Sequence, residues 1–104
     1  MFIAMNRFMV SEGREPEFEK AWRERESYLD EVPGFLQFQL LRGATEAGAS
    51  LYVSHSVWAS RAAFEAWTRS EAFRKAHGRA RSPEGVLLGH PKLETFDAVD
   101  LDRS

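Results

Sequence analysis

Three polar side chains interrupt apolar patterns in this sequence and could do chemistry. Asn6 stands among the alternating apolar residues of FIAMNRFMV (2–10), where a carboxamide needs hydrogen-bond partners. His77 follows Phe73 by one helical turn, and imidazole is the commonest side chain in metal sites. Arg25 lies on the apolar stripe of a predicted helix, where its guanidinium could reach water or pair with a carboxylate. Each also has an ordinary structural explanation: a paired core amide, a satisfied core histidine and a cation at the edge of the stripe.

The chain has no cysteine, which excludes disulfide scaffolds, thiolate haem ligation and iron–sulfur clusters. The other two histidines, His55 and His90, have no second ligand at chelating spacing. We therefore expect no multi-ligand zinc or non-haem iron site. Neither the dinucleotide-binding nor the P-loop glycine motif occurs, so electrons for a redox reaction must come from an external donor.

Charge and hydropathy limit the expected partners. The 14 basic and 16 acidic residues nearly balance and form no like-charge run, so we expect no nucleic-acid partner. No stretch approaches membrane-spanning length and the N-terminus does not resemble a signal peptide, so we expect no membrane partner and a cytoplasmic location. Eight Phe, three Trp and two Tyr suit a rigid core or a pocket for a flat apolar ligand.

Hydrophobic periodicity and turn residues predict six elements. Ser60 is expected to cap the second helix and Ser70 to cap its continuation, so that helix should break near Arg69–Ser70. Residues 81–91 should form a loop, and GATEAGAS (43–50) a turn. The predicted elements are a strand at 2–10, a helix at about 15–31, strands at 35–42 and 51–58, the broken helix from 61, and a strand at 92–99.

This element order is that of the ferredoxin-like β-α-β-β-α-β fold of the α+β class, in one domain over residues 1–104. Two helices cover one face of its antiparallel sheet. The other face is also apolar, because Ile3, Met5 and Met9 alternate with the core residues of the first strand. In the second strand we expect Phe35 and Leu41 on one side, and Leu36, Phe38 and Leu40 on the other. The uncovered face predicts a homodimer in which two sheets pack together.

Three segments carry a resemblance to a known family: AMNRF (4–8), VPGF (32–35) and SVWASRAAFEAWTRSEAFRKAH (56–77). The chain resembles the antibiotic-biosynthesis-monooxygenase superfamily of dimeric α/β barrels, and within it the bacterial haem-degrading monooxygenases of the Isd type. That branch is marked by an Asn on the first strand, a Trp on the second helix and a His ten residues later, which correspond here to Asn6, Trp67 and His77.

The resemblance implies that haem is both substrate and cofactor, with His77 as the iron ligand and the opposite side open to dioxygen. Asn6 would offer an amide N–H on that open side, and the bulk of Trp67 would distort the macrocycle. Arg25 would pair with a propionate, while Trp22, Phe64 and Phe73 would line the haem pocket and the 81–91 loop could close over the porphyrin edge. Ring opening would release iron and require a separate reductase.

Two alternatives stay open at this point. A cofactor-free monooxygenase of the same superfamily would use the pocket for a quinol-like aromatic without iron. A haem-binding carrier or sensor would bind haem without degrading it.

Overall fold

Four strands, two α-helices and a 3₁₀ turn are seen in the computed structural model, which describes residues 1–25, 29–71, 73–74 and 85–101. The sheet order is β2-β3-β1-β4, every neighbouring pair is antiparallel, and both helices lie on one face, so the predicted ferredoxin-like α+β fold is confirmed. In chain order the elements are β1 (Phe2–Ser11), α1 (Glu15–Glu24), the 3₁₀ turn Leu29–Glu31, β2 (Phe35–Glu46), β3 (Ala49–Trp58), α2 (Arg61–Thr68) and β4 (Lys92–Asp97).

The helix α1 begins with Pro16 in its first turn, as predicted, but it is shorter than predicted. It ends at Glu24, and Arg25 has extended backbone angles (φ −76°, ψ 128°), so the expected continuation to residue 31 is wrong. Leu29 packs beneath α2, in a different part of the core from Phe18 of α1. Residues 26–28 lie outside the described part.

Two carboxylates fix α1 to β3. Glu15 accepts hydrogen bonds of 2.7 Å from the Ser50 hydroxyl and from the Gly13 amide, and the Ser50 bond holds the pKa of this carboxyl below its ordinary value. One turn later, Glu19 accepts a hydrogen bond from the Tyr52 hydroxyl. Burial, reinforced by this bond, raises the pKa of Tyr52 to about 12. The sheet therefore fixes the position of α1 through polar bonds as well as apolar packing.

The β2–β3 hairpin closes at Ala47–Gly48, where both residues have positive φ (52° and 82°). This two-residue turn matches the twist of the strands, so β2 and β3 extend into the predicted 43–50 turn.

A β-bulge between Phe35 and Gln37 changes the alternation at the start of β2. As a result Phe35 faces the helices and contacts Trp58, whereas Leu41 lies on the other face. The prediction that Phe35 and Leu41 share a side is wrong. Phe38 and Leu40 also face the helices, where both contact residues of the α1 side.

The second helical region follows the predicted capping pattern. The Ser60 hydroxyl accepts a hydrogen bond from the Ala63 amide at 3.1 Å, and α2 ends at Thr68. After this break, the Ser70 hydroxyl donates to the Trp67 carbonyl at 2.6 Å and accepts from the Phe73 amide at 3.2 Å. The predicted interruption at Arg69–Ser70 is confirmed.

Two separate apolar clusters lie between the sheet and the helices. The α2 cluster consists of Phe2, Ala4, Leu29, Trp58 and Phe64. The α1 cluster consists of Phe8, Val10, Phe18, Tyr52 and Val86. Because the two clusters lie toward opposite ends of β1, the middle of this strand belongs to neither of them.

Part of the predicted 81–91 loop is anchored to β1. Val86 is fully buried, and its carbonyl accepts from the Ser11 amide at 2.8 Å. The Leu88 amide donates to the Met9 carbonyl at 2.8 Å, and Leu87 forms a bridge with Val10. Residues 86–88 therefore act as a short addition to the sheet and not as a free loop. Of the described helices, none has the length and apolarity needed to cross a membrane.

Candidate functional site

A row of four side chains crosses the helix-facing side of the sheet between the two clusters. The strand register aligns Leu40, Ser54, Asn6 and Leu93, from β2, β3, β1 and β4 respectively. We call these residues the central row. Leu93 keeps 56% of its surface exposed although it points to the helix side, which shows that the described helices do not cover this end of the row.

Asn6 is half-buried and lies on the face that the sequence predicts. Its carboxamide makes no hydrogen bond within residues 1–25, 29–71, 73–74 and 85–101. The ordinary explanation, an amide paired with neighbouring backbone, is therefore not what these residues show. A half-buried amide that has no partner among the described residues and lies between two apolar clusters is a candidate ligand-binding position.

Trp22 of α1 flanks the central row on one side. Its ring stacks on Phe38 at 5.6 Å between centroids with an interplanar angle of 21°, and it meets Phe8 edge-on at 5.8 Å. The Arg25 guanidinium lies over the same indole, 4.5 Å from the ring centroid, in cation–π geometry. Burial lowers the pKa of Arg25. Arg25 therefore comes directly after the C-terminal end of α1 and is not on the apolar stripe of that helix. Its guanidinium nevertheless lies close to the predicted pocket.

Trp67 of α2 flanks the row on the other side. It is half-buried and packs on Trp58 with a centroid distance of 5.2 Å, while Phe73 meets its edge at 4.8 Å. Phe64 lies 6.0 Å from Trp67 and is itself buried in the α2 cluster. The indole is thus held by aromatic rings from β3, α2 and the segment after the break.

The structure brings five of the seven predicted site residues to the two margins of the central row: Trp22 and Arg25 on the α1 side, and Phe64, Trp67 and Phe73 on the α2 side. Asn6 lies between them. His77 is outside the described residues, four positions after Phe73. Among the residues that are described, no group of three or more His, Asp or Glu side chains could hold a metal ion.

Sequence reasoning missed Ser54 and Leu93, the neighbours of Asn6 on both sides. Alternation places each on a face of its own strand, but only the pairing register shows that they flank Asn6.

Residues 1–79 match the family described as antibiotic biosynthesis monooxygenase. The chain is 35% identical over 97 residues to a mycobilin-producing haem oxygenase of Mycobacterium tuberculosis, which covers 93% of this chain and 88% of the relative. It is 29% identical over 97 residues to a haem-degrading monooxygenase of Shouchella clausii, with 93% and 89% covered. The solved structure of the haem degrader MhuD from M. tuberculosis, with two haems bound in its active site, matches with a TM-score of 0.74 and 33% identity over 100% of both chains.

Proposed function

The chain belongs to the antibiotic biosynthesis monooxygenase family, and we propose on that premise that it is a haem-degrading monooxygenase. It binds haem between the helices and the sheet, and it opens the porphyrin ring with release of iron. Two relatives with this activity, one of them 35% identical, support the proposal. A fold neighbour that binds haem in its active site supports the same pocket.

The observation that carries the proposal is the carboxamide of Asn6, which has no partner in the described chain and lies between Trp22 and Trp67. A flat macrocycle needs broad apolar contacts on its faces and few polar groups at defined points. Two indoles and one free amide supply this combination. The donor set therefore fits haem, and the half-buried guanidinium of Arg25 beside Trp22 fits a ligand that carries carboxylates.

Each proposed site residue has a separate role. Bound haem supplies a redox-active iron that reacts with dioxygen, and it is also the ring that is oxidised. His77 holds the iron through one neutral imidazole. Asn6 would direct an amide N–H toward the bound haem, which would shield this donor from water and so give it a larger effect than in water.

The remaining residues orient the macrocycle. Trp67 presses on it, and its neighbours Trp58 and Phe73 keep the indole from moving away. Trp22, Phe64 and Phe73 form the apolar walls. Arg25, whose guanidinium lies over the Trp22 indole, pairs with a propionate. Catalysis then depends on orientation more than on acid–base groups.

The proposal also covers the partners and the setting of the enzyme. Electrons come from a separate reductase, and residues 1–104 form one domain that works in the cytoplasm without nucleic acid or membrane partners. The chain forms a homodimer through the sheet face away from the helices. On that face Met9, Leu41 and Phe96 are 41–45% exposed, which is a large apolar area for a free surface.

Anaerobic titration with haemin, followed by aerobic turnover, tests the proposal. We expect a shifted Soret band in the wild type and in His90→Ala, whose histidine is exposed, and a weaker, altered band in His77→Ala. Loss of the iron ligand should reduce affinity by more than the roughly 10–100-fold expected for an outer-sphere partner. Mass spectrometry after turnover with ascorbate or a reductase should detect an opened tetrapyrrole.

The outcomes separate the competing functions. Absence of haem binding by the wild type would favour a cofactor-free monooxygenase. Tight binding with intact haem after aerobic turnover would favour a carrier or sensor.

A further inference from the structure

Ser54 lies directly opposite Asn6 across the β1–β3 pair, and both side chains point to the helix-facing side. Side chains opposite each other in antiparallel strands have Cβ atoms about 4.5–5.5 Å apart, so a hydroxyl and a carboxamide at these positions can reach each other. Both residues are half-buried. Their other neighbours in the central row, Leu40 and Leu93, have no polar side-chain atoms.

The serines along the helix-facing side of β3 differ in their bonding. Ser50 donates to Glu15 at 2.7 Å. Ser56 donates to the Ala4 carbonyl at 3.3 Å and accepts from the Trp58 indole at 2.9 Å. The Ser54 hydroxyl, by contrast, makes no hydrogen bond to any residue in the described ranges of the chain. Ser50 and Ser56 therefore stabilise the fold, whereas the Ser54 hydroxyl has no such bond to the described residues and lies beside Asn6.

A flat ligand that covers the central row removes water from both Asn6 and Ser54. Buried polar groups without partners are unfavourable by about 1–3 kcal/mol each, so the two groups should then bond to each other. A carboxamide has an acceptor end and a donor end. A hydroxyl that donates to the acceptor end leaves the donor end turned toward the ligand.

On the basis of the proposed haem function, we propose that Ser54 is a positioning residue: its hydroxyl donates to Oδ1 of Asn6 and thereby directs Nδ2 toward the haem. Asn6 touches the ligand and Ser54 acts through Asn6. Without the hydroxyl, the carboxamide can rotate or flip, and the fraction of molecules with a correctly placed N–H falls.

The carbon monoxide complex of the reduced haem protein provides a test, because the C–O stretching frequency responds to a hydrogen-bond donor near the ligand. Ser54→Ala, Asn6→Ala and the double variant form a double-mutant cycle. Ser54→Thr keeps the hydroxyl, and Ser56→Ala removes a bonded hydroxyl from the same face of the same strand. The haem dissociation constant and the degradation rate are measured for each protein.

We expect Ser54→Ala to shift the C–O frequency in the same direction as Asn6→Ala, and the double variant to match Asn6→Ala alone. Ser54→Ala should keep wild-type haem affinity and degrade haem about fivefold more slowly, the factor expected from one ordinary hydrogen bond. Ser54→Thr and Ser56→Ala should keep the wild-type frequency.

An unchanged frequency in Ser54→Ala, or shifts of the two single variants that simply add in the double variant, would overturn the positioning role while leaving the haem function intact. A wild-type protein that fails to bind haem would overturn both.

Discussion

Replacing Asn6 with leucine should stabilise the protein while impairing haem degradation. The carboxamide is half-buried and makes no hydrogen bond to the described residues, so its removal breaks no hydrogen bond with them. Leucine has a similar size and would face Leu93 across the β1–β4 pair, which adds about 0.2–1 kcal/mol. We expect the free energy of unfolding to rise by up to about 1 kcal/mol, or the Tm by up to about 5 °C.

Urea denaturation of the haem-free protein measures this change, and the m-value checks that both proteins unfold in the same way. Ser56→Ala is the matched control, because its hydroxyl is bonded to Trp58 and its loss should lower stability by about 1 kcal/mol. The rate of haem degradation in Asn6→Leu should fall by about 100-fold or more, as when a donor is removed from a dry catalytic site. A loss of 1 kcal/mol or more in Asn6→Leu would show that the amide stabilises the fold, which contradicts a ligand-binding role for Asn6.

Two further predictions concern pH and assembly. The folded chain favours the neutral phenol of Tyr52 and raises its pKa from 10.0 to about 12. The contribution of this neutral phenol to stability should therefore be complete below pH 10.0 and decrease between pH 10.0 and about 12. Tyr52→Phe should flatten this part of the stability profile measured by denaturation at each pH, and an unchanged slope would contradict the assignment. Leu41→Lys should convert the proposed dimer to a monomer, since it places a charge in an apolar contact, whereas Glu65→Lys on exposed α2 should not. Light scattering at micromolar concentration distinguishes these results, and a monomeric wild type would disprove the dimer.

Much of the fold is predictable from the sequence because the elements have clear local signals. The alternation of β1, the proline at the start of α1 and the serine caps around α2 all act over a few residues. The errors arise where contacts between residues far apart in sequence determine the local structure. The bulge after Phe35 depends on the pairing of β2 with β3. Val86 is buried because its carbonyl is bonded to the amide of Ser11 at the C-terminal end of β1. The local sequence at the start of β2 does not reveal the bulge. The local sequence of the proline- and glycine-rich loop does not reveal that Val86 is buried.

The candidate site is predictable to a lesser degree, for the same reason. Alternation is enough to place Asn6 on the helix-facing side, and helical spacing predicts Trp67 near Phe64. The position of Ser54 opposite Asn6 depends on the register of two strands about 50 residues apart in sequence, which alternation does not determine.

The dimensions of the elements explain why polar residues occur in the middle of this sheet. The ten residues of β1 extend about 34 Å, whereas the ten residues of α1 and the eight of α2 form helices only about 15 Å and 12 Å long. Each described helix covers its own cluster, so neither of these two helices extends over the middle of the central row. An amide and a hydroxyl are tolerated there because water can reach them, and the flanking indoles leave a slot with apolar walls. The limited cover by the two described helices therefore allows the fold to keep a ligand site there, and the apolar neighbour Leu93 explains why Asn6→Leu should improve stability at the expense of function.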